Sequence, residues 1–184
     1  QSGRVFSLGQ LCIDAIGLWR EINVDKETVL NADIQENGRV AMIRGDEERL
    51  RKMILNLLDN ASQHSAPDGE IVFRMRGNSR GMHVIQIIDK GCGIPAENAG
   101  RIFEPFFSTV KRAGLGLCKV NNTVEDHGGV IHVRNNAPLP GVTVQVTLPV
   151  LPEFSEQVNV SDFPEIVNEG TGVQGSLGSA DRVI

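Results

Sequence analysis

The sequence predicts an α/β (α+β) chain folded as a two-layer α/β sandwich, a mixed sheet of about five strands with three main helices on one face. Three observations predict it. Three stretches carry apolar residues at helical spacing. Between and after them lie short segments that alternate apolar and polar residues, as strands with one buried face do. The length of 184 residues, 40% of them hydrophobic, suffices for one full core and not clearly for two.

Residues 7 to 21 place Leu8, Leu11, Cys12, Ala15, Ile16, Leu18 and Trp19 at helical spacing, with Ser7 as the cap. Residues 28 to 34 alternate like a half-buried strand, Glu36-Asn-Gly38 is a turn, and Arg39 to Arg44 make a second strand. Gly45-Asp46 opens a helix with acids in its first turn, which suits the helix dipole. It runs to about Gln63 and carries Leu50, Met53, Ile54, Leu57 and Leu58 on one side. Pro67-Asp-Gly69 breaks the chain, and two strands follow, Glu70 to Gly77 and Met82 to Asp89. Residues 96 to 102 read as a short helix and 107 to 113 as loop. Leu115 to His127 reads as a helix ended by Gly128. Val130 to Asn136 and Val142 to Leu148 form a closing hairpin. From residue 151 the periodicity fades into Pro, Gly, Ser, Asn and acids, giving a domain of residues 1–150 and an acidic tail of 151–184, disordered or loosely docked.

Composition narrows the function classes. No stretch approaches the run of about 18 apolar residues that spans a bilayer, so no membrane contact is expected of this domain. Gln1-Ser-Gly-Arg4 leads straight into an amphipathic segment, and no signal peptide is expected there. Cys12, Cys92 and Cys118 lack paired or metal-like spacing and read as reduced thiols of a cytoplasmic protein. The net charge is −5, and residues 153–184 hold six acids and one base, so the rest is nearly neutral. With no basic stripe, nucleic acid is not an expected partner. His83 reads as an ordinary strand residue, and His127 and His132 as structural.

Four segments carry the chemistry: Asn56-Leu-Leu-Asp-Asn60, Asp89-Lys-Gly-Cys-Gly93, Arg101-Ile-Phe-Glu-Pro-Phe-Phe107 and Gly114-Leu-Gly-Leu117. Each alone has an ordinary explanation: a polar helix edge, an Asp-x-Gly turn, an aromatic cluster under a loop, a glycine-rich helix start. Taken in this order and spacing over roughly residues 4 to 150, they resemble the catalytic and ATP-binding domain of bacterial two-component sensor histidine kinases, within the wider gyrase, Hsp90, histidine kinase and MutL superfamily. They match that family's N, G1, F and G2 boxes, and the fold implied is the Bergerat-type ATP-binding fold.

The implied ligands are ATP and Mg²⁺. Asn56 and Asn60 stand one helical turn apart, so their amides share a face. The resemblance gives both a catalytic role and puts the metal on Asn60. A hard cation among phosphates takes a neutral carbonyl oxygen readily, because the phosphates already supply the charge. Asp89, ending a strand, can accept a hydrogen bond from the adenine amino group, where guanine offers a carbonyl. Gly91 and Gly93 let the backbone approach the base, with Ile94 beside them. Gln63 and His64 follow the first box as further nucleotide contacts. Phe103 reads as core at the root of a lid. Lys111 and Arg112 in the lid face the phosphates. Gly114, Leu115, Gly116 and Leu117 open a helix whose free amides can hold the phosphate chain. The family's usual Gly-x-Gly-x-Gly-Leu has Arg112 in place of its first glycine here, and the lid is short.

Related ATPases of the superfamily carry a glutamate, the general base for water, where this chain has Asn56, and an amide cannot act as that base. The resemblance therefore implies transfer of the γ-phosphate to a histidine. That histidine belongs on a separate dimerisation hairpin, since none of His64, His83, His127 and His132 has the acceptor context. Implied partners are that hairpin of the same kinase, absent from this chain, and a downstream response regulator. The isolated domain is expected as a monomer and the parent kinase as a homodimer. Two alternatives share the fold: a pseudokinase that binds nucleotide or a partner without transfer, and an anti-sigma-type serine kinase.

Overall fold

The computed structural model describes residues 3–24, 27–36, 40–66, 69–77, 81–105 and 116–152. The described elements run β1 (Arg4–Ser7), α1 (Leu8–Ile22), β2 (Val29–Gln35), β3 (Met42–Gly45), α2 (Glu47–His64), β4 (Glu70–Gly77), β5 (Met82–Asp89), α3 (Gly116–Asp126), β6 (Val130–Asn135) and β7 (Val142–Pro149), with a 3₁₀ turn at Ala96–Asn98.

Five strands form one mixed sheet in the order β2-β4-β5-β7-β6. β2 and β4 are parallel, and the remaining neighbours are antiparallel. β1 and β3 pair separately as a two-stranded antiparallel sheet, Arg4 opposite Gly45 and Ser7 opposite Met42. The second expected strand therefore exists but lies outside the main sheet. Its partner Arg4–Ser7 is the one strand that alternation does not reveal, since four residues carry too short a pattern to read.

The helices start where their caps dictate. Ser7 accepts from the Gln10 amide at 3.1 Å and opens α1. Asp46 does the same for α2 through the Arg49 amide at 3.0 Å, with Glu47 and Glu48 in the positive first turn. At its far end α1 stops at Asn23, whose backbone N–H and side-chain amide both donate to the Trp19 carbonyl. The expected helix over 96–102 contracts to the 3₁₀ turn. It continues as a run of turns closed by Arg101 N–H to the Asn98 carbonyl and Glu104 N–H to the Arg101 carbonyl.

The helices share one face of the sheet, as expected. β4 buries Ile71, Phe73 and Met75 toward them, and β5 buries His83, Ile85, Ile87 and Asp89 in strict alternation. From above come Leu50, Met53, Ile54, Leu57 and Leu58 of α2, Leu8, Leu11, Ile16 and Trp19 of α1, and Val120 and Val124 of α3. Each large side chain so buried contributes about 1.5–3 kcal/mol. The opposite face stays partly open and polar, crossed by Gln86 donating to Gln145 at 2.9 Å.

α2 and α3 pack side by side, and one end of the pair is fixed by His127. Its Nε2 accepts from the Asp46 amide at 3.0 Å and its Nδ1 donates to the Thr123 carbonyl at 2.7 Å. Arg49 pairs with Asp126 at 2.5 Å beside it. The structural reading of His127 holds. The other end of the helix pair is the candidate site.

Candidate functional site

The site lies where α2 ends, α3 begins and β5 leaves the sheet. Asn56, Asn60, Gln63 and His64 on the last turns of α2 are all half-buried. No described residue hydrogen-bonds the side-chain amide of Asn56 or Asn60. Their flank of the helix is set from the other side, where Asp59 accepts from the Trp19 indole at 2.9 Å. Gly116, the first residue of α3, packs on Asn60. A Cβ at Gly116 would lie 3.4 Å from both the nitrogen and the oxygen of that amide. Leu117 turns inward against the core. The N-terminus of an 11-residue helix thus faces the second asparagine of the pair.

Asp89 ends β5 only 5% exposed. Its Oδ1 accepts from two backbone amides, Gly91 at 2.8 Å and Val142 at 3.1 Å. No described residue hydrogen-bonds its Oδ2. Burial raises the carboxyl above the ordinary carboxylate range, while the two amides and the nearby His64 pull it partly back. The arrangement leaves one acceptor oxygen committed to the fold and one available.

Beyond Asp89 the chain passes against the end of α2. A Cβ on Gly91 would collide with the His64 carbonyl oxygen, so only glycine passes there. Gly93 has φ +81°, in the left-handed region, and leads into half-buried Ile94. Asn60, His64, Asp89, Gly91 and Gly116 are therefore joined by direct contact or by one intervening group. Lys111, Arg112, Gly114 and Leu115 lie outside the described residues, as do Phe106, Phe107 and the whole expected lid loop. Phe103, expected as core, is half-buried in the turn run and is not among the described residues of the hydrophobic core.

Three further residues support Asp89 and carry no sequence signal of their own. Val142 supplies its amide. Asn136 Nδ2 donates to the Asp89 carbonyl at 3.0 Å, and Thr143 donates its hydroxyl to Asn136 Oδ1 at 2.6 Å. Among the described residues no group of three or more His, Cys, Asp or Glu side chains could hold a metal by itself. None of the described helices is long and apolar enough to cross a membrane. The three cysteines are unpaired, Cys12 buried and Cys92 exposed.

Comparison with known proteins agrees with this fold. Residues 45–152 match the family described as histidine kinase-, DNA gyrase B-, and HSP90-like ATPase. The chain is 33% identical over 154 residues to the circadian input-output histidine kinase CikA of Synechococcus elongatus, a match covering 79% of this chain and 20% of that protein. It is 33% identical over 165 residues to the signal transduction histidine-protein kinase/phosphatase MprB of Mycobacterium leprae, covering 84% and 30%. The chain thus spans about a fifth to a third of these curated relatives. Among solved structures, the mycobacterial sensor histidine kinase MprB superposes with a TM-score of 0.72 at 27% identity, covering 82% of this chain and 99% of that one. The catalytic domain of the histidine kinase ThkA does so at 0.72 and 25%, covering 83% and 99%. On these matches the chain belongs to the histidine kinase-, DNA gyrase B- and HSP90-like ATPase family, and its likeness within it is to sensor histidine kinase catalytic domains.

Proposed function

We propose that this domain binds Mg-ATP and passes the γ-phosphate to a histidine on a separate helical hairpin, for relay to a response regulator. One observation carries the reading: among the described residues, a buried carboxylate keeps one oxygen without a partner and an unpartnered amide faces a helix start, both beside the end of α2. The residues fit the nucleotide. Asp89 Oδ2 accepts from the adenine amino group, which a guanine carbonyl cannot replace. Gly91 and Gly93 let the base lie against backbone, beside Ile94 and His64. The free amides at Gly116 and Leu117 suit phosphate oxygens, and Asn60 offers its carbonyl oxygen to the cation. Gln63, Phe103, Lys111, Arg112, Gly114 and Leu115 complete the proposed contacts.

Bound Mg²⁺ would neutralise charge on the phosphates. Asn56 orients within the site through its amide and cannot take a proton from water, which favours transfer over hydrolysis. The support for a hairpin acceptor is that the relatives are named histidine kinases, and a structural neighbour, ThkA, is known in complex with a response regulator. Residues 1–150 as the functional unit, 151–184 as a tail, a monomeric isolated domain in a homodimeric parent and a cytoplasmic setting are parts of the same proposal. Leu151, the first residue of that tail, still donates to the Met42 carbonyl at 2.8 Å. Residues 153–184 lie outside the described residues.

The test is transfer of label from [γ-³²P]ATP to a supplied cognate hairpin, with and without Mg²⁺. Acid-labile phosphohistidine on the hairpin is the expected product. Tight Mg-ATP binding without any transfer would instead establish a pseudokinase, and phosphoserine on a partner would establish the anti-sigma-type reading.

A further inference from the structure

The loop between Asp89 and Ile94 is held at both ends by two successive asparagines where β6 runs out. Asn136 holds the start. Its Nδ2 donates to the Asp89 carbonyl at 3.0 Å, and the Thr143 hydroxyl at 2.6 Å keeps its amide from turning. Asn136 N–H in turn donates to the Gly141 carbonyl at 2.9 Å, and a Cβ on Gly141 (φ +102°) would collide with Asp89. Asn135 holds the end. Its Oδ1 accepts from the Ile94 amide at 2.8 Å, and its Nδ2 donates to the Ile94 carbonyl at 2.9 Å. One side-chain amide thereby engages both backbone groups of one residue, as a neighbouring strand would. The adjoining Gly93 fits closely, since a Cβ there would stand 3.3 Å from Asn135 Oδ1.

We propose that Asn135 is a positioning residue for recognition of the purine base. It acts through Ile94 and, together with Asn136, fixes the separation of Ile94 from Asp89, so that the base meets a preformed edge and wall. This rests on the nucleotide reading above. A loop stapled at both ends loses little freedom when ligand arrives, whereas a loop free at one end must be ordered by binding and weakens affinity accordingly. The clamp lies on the base side of the site. Asn60 and Gly116 lie on the phosphate side and are not touched by it in the described contacts.

The measurement is calorimetry of adenosine and of ATP with and without Mg²⁺, alongside thermal melting and hydrogen exchange, on the wild type, Asn135→Ala and Asn135→Asp. Asn135→Ala should weaken adenosine and Mg-ATP by the same factor, about ten-fold for two exposed hydrogen bonds. The ratio of ATP affinity with and without Mg²⁺ should stay unchanged. Exchange should quicken at residues 90–94 alone, with the melting temperature preserved. Asn135→Asp keeps the acceptor for the Ile94 amide and loses the donor, so it should fall between the two. A lowered melting temperature with exchange quickened throughout would make Asn135 merely structural and overturn the proposal. Unchanged adenosine affinity in Asn135→Ala would overturn it too. If the wild type bound neither adenosine nor Mg-ATP, the nucleotide reading itself would fall and the clamp with it, an outcome distinct from the other two.

Discussion

Gly116 lies flat against the Asn60 amide, with room for a Cβ only at 3.4 Å from both its nitrogen and its oxygen. A helix start and a neutral oxygen donor therefore share one small space. In a phosphate site this pairing lets backbone amides and a cation act on the same oxygens from two sides. If Asn60 holds the cation as proposed, Asn60→Ala should weaken Mg-ATP about ten-fold or more while changing adenosine within about two-fold, because it removes the proposed metal ligand and no proposed base contact. Titration calorimetry with both ligands separates the cases. Equal losses would make Asn60 a packing residue.

Asp89 gives a pH dependence whose sign follows from its surroundings. Two amides occupy Oδ1, so a proton adds to Oδ2, the oxygen proposed to meet the base. Protonation there sets a donor against the adenine amino donor. Because burial raises this carboxyl, adenosine affinity should fall as pH drops through a range above that of an ordinary carboxylate. Adenosine is the right probe, having no phosphate to titrate. Asp89→Asn should cost about 1–3 kcal/mol at neutral pH and abolish the dependence. A wild type that bound GTP as tightly as ATP would contradict the assignment.

His83 is 6% exposed, and neither ring nitrogen has a hydrogen-bond partner among the described residues. Burial lowers its pKa, with Glu36 opposing as the smaller effect. The folded state thus keeps the ring neutral while the unfolded chain protonates at the ordinary imidazole value. As pH falls below that value the unfolded state binds more protons, so stability is lost until the lowered folded value is reached, and not beyond it. His83→Leu should remove this contribution. It should also relieve two unsatisfied buried nitrogens, each costing about 1–3 kcal/mol. Melting temperatures between pH 8 and 5 are the check. A variant that loses as much stability over that range as the wild type would show that His83 is not the group responsible.

The sequence reveals those parts of the molecule whose chemistry is written in local spacing. Asn56 and Asn60 announce a shared helix face by their four-residue interval. Asp89 announces a strand end by the alternating isoleucines before it. The supports of Asp89 are different in kind. Val142 acts through a backbone amide that any residue possesses, and Asn136 stands in a Pro- and Gly-rich hairpin where asparagine is ordinary turn composition. Their partners lie 47 and 53 positions away in the chain, so only the register of β5 against β7 brings them together. The same holds for β1, which exists because Met42–Gly45 offers it an edge. His83 shares the inward period of Ile85 and Ile87, but alternation cannot say that its ring finds no partner there.

Gly91 tests whether the site is one rigid unit. A side chain at this position meets backbone, the His64 carbonyl, and backbone at a helix end cannot swing aside as a flexible side chain can. Gly91→Ala must therefore push the Asp89 loop away from α2 or unwind the last turn of the helix. Either movement separates the base end of the site from Asn60. Adenosine and Mg-ATP should both lose at least about ten-fold, unlike the selective loss at Asn60. The displaced loop also strains the Gly91 amide bond to Asp89 Oδ1, so the melting temperature should drop by several degrees, the size of a ΔΔG of about 1–2 kcal/mol. Gly100, where an added Cβ would meet no described atom within 4 Å, provides the control. Gly100→Ala should leave both ligands and the melting temperature unchanged. If Gly91→Ala behaved like Gly100→Ala, the close approach of the loop to the end of α2 would not be a feature of the protein in solution.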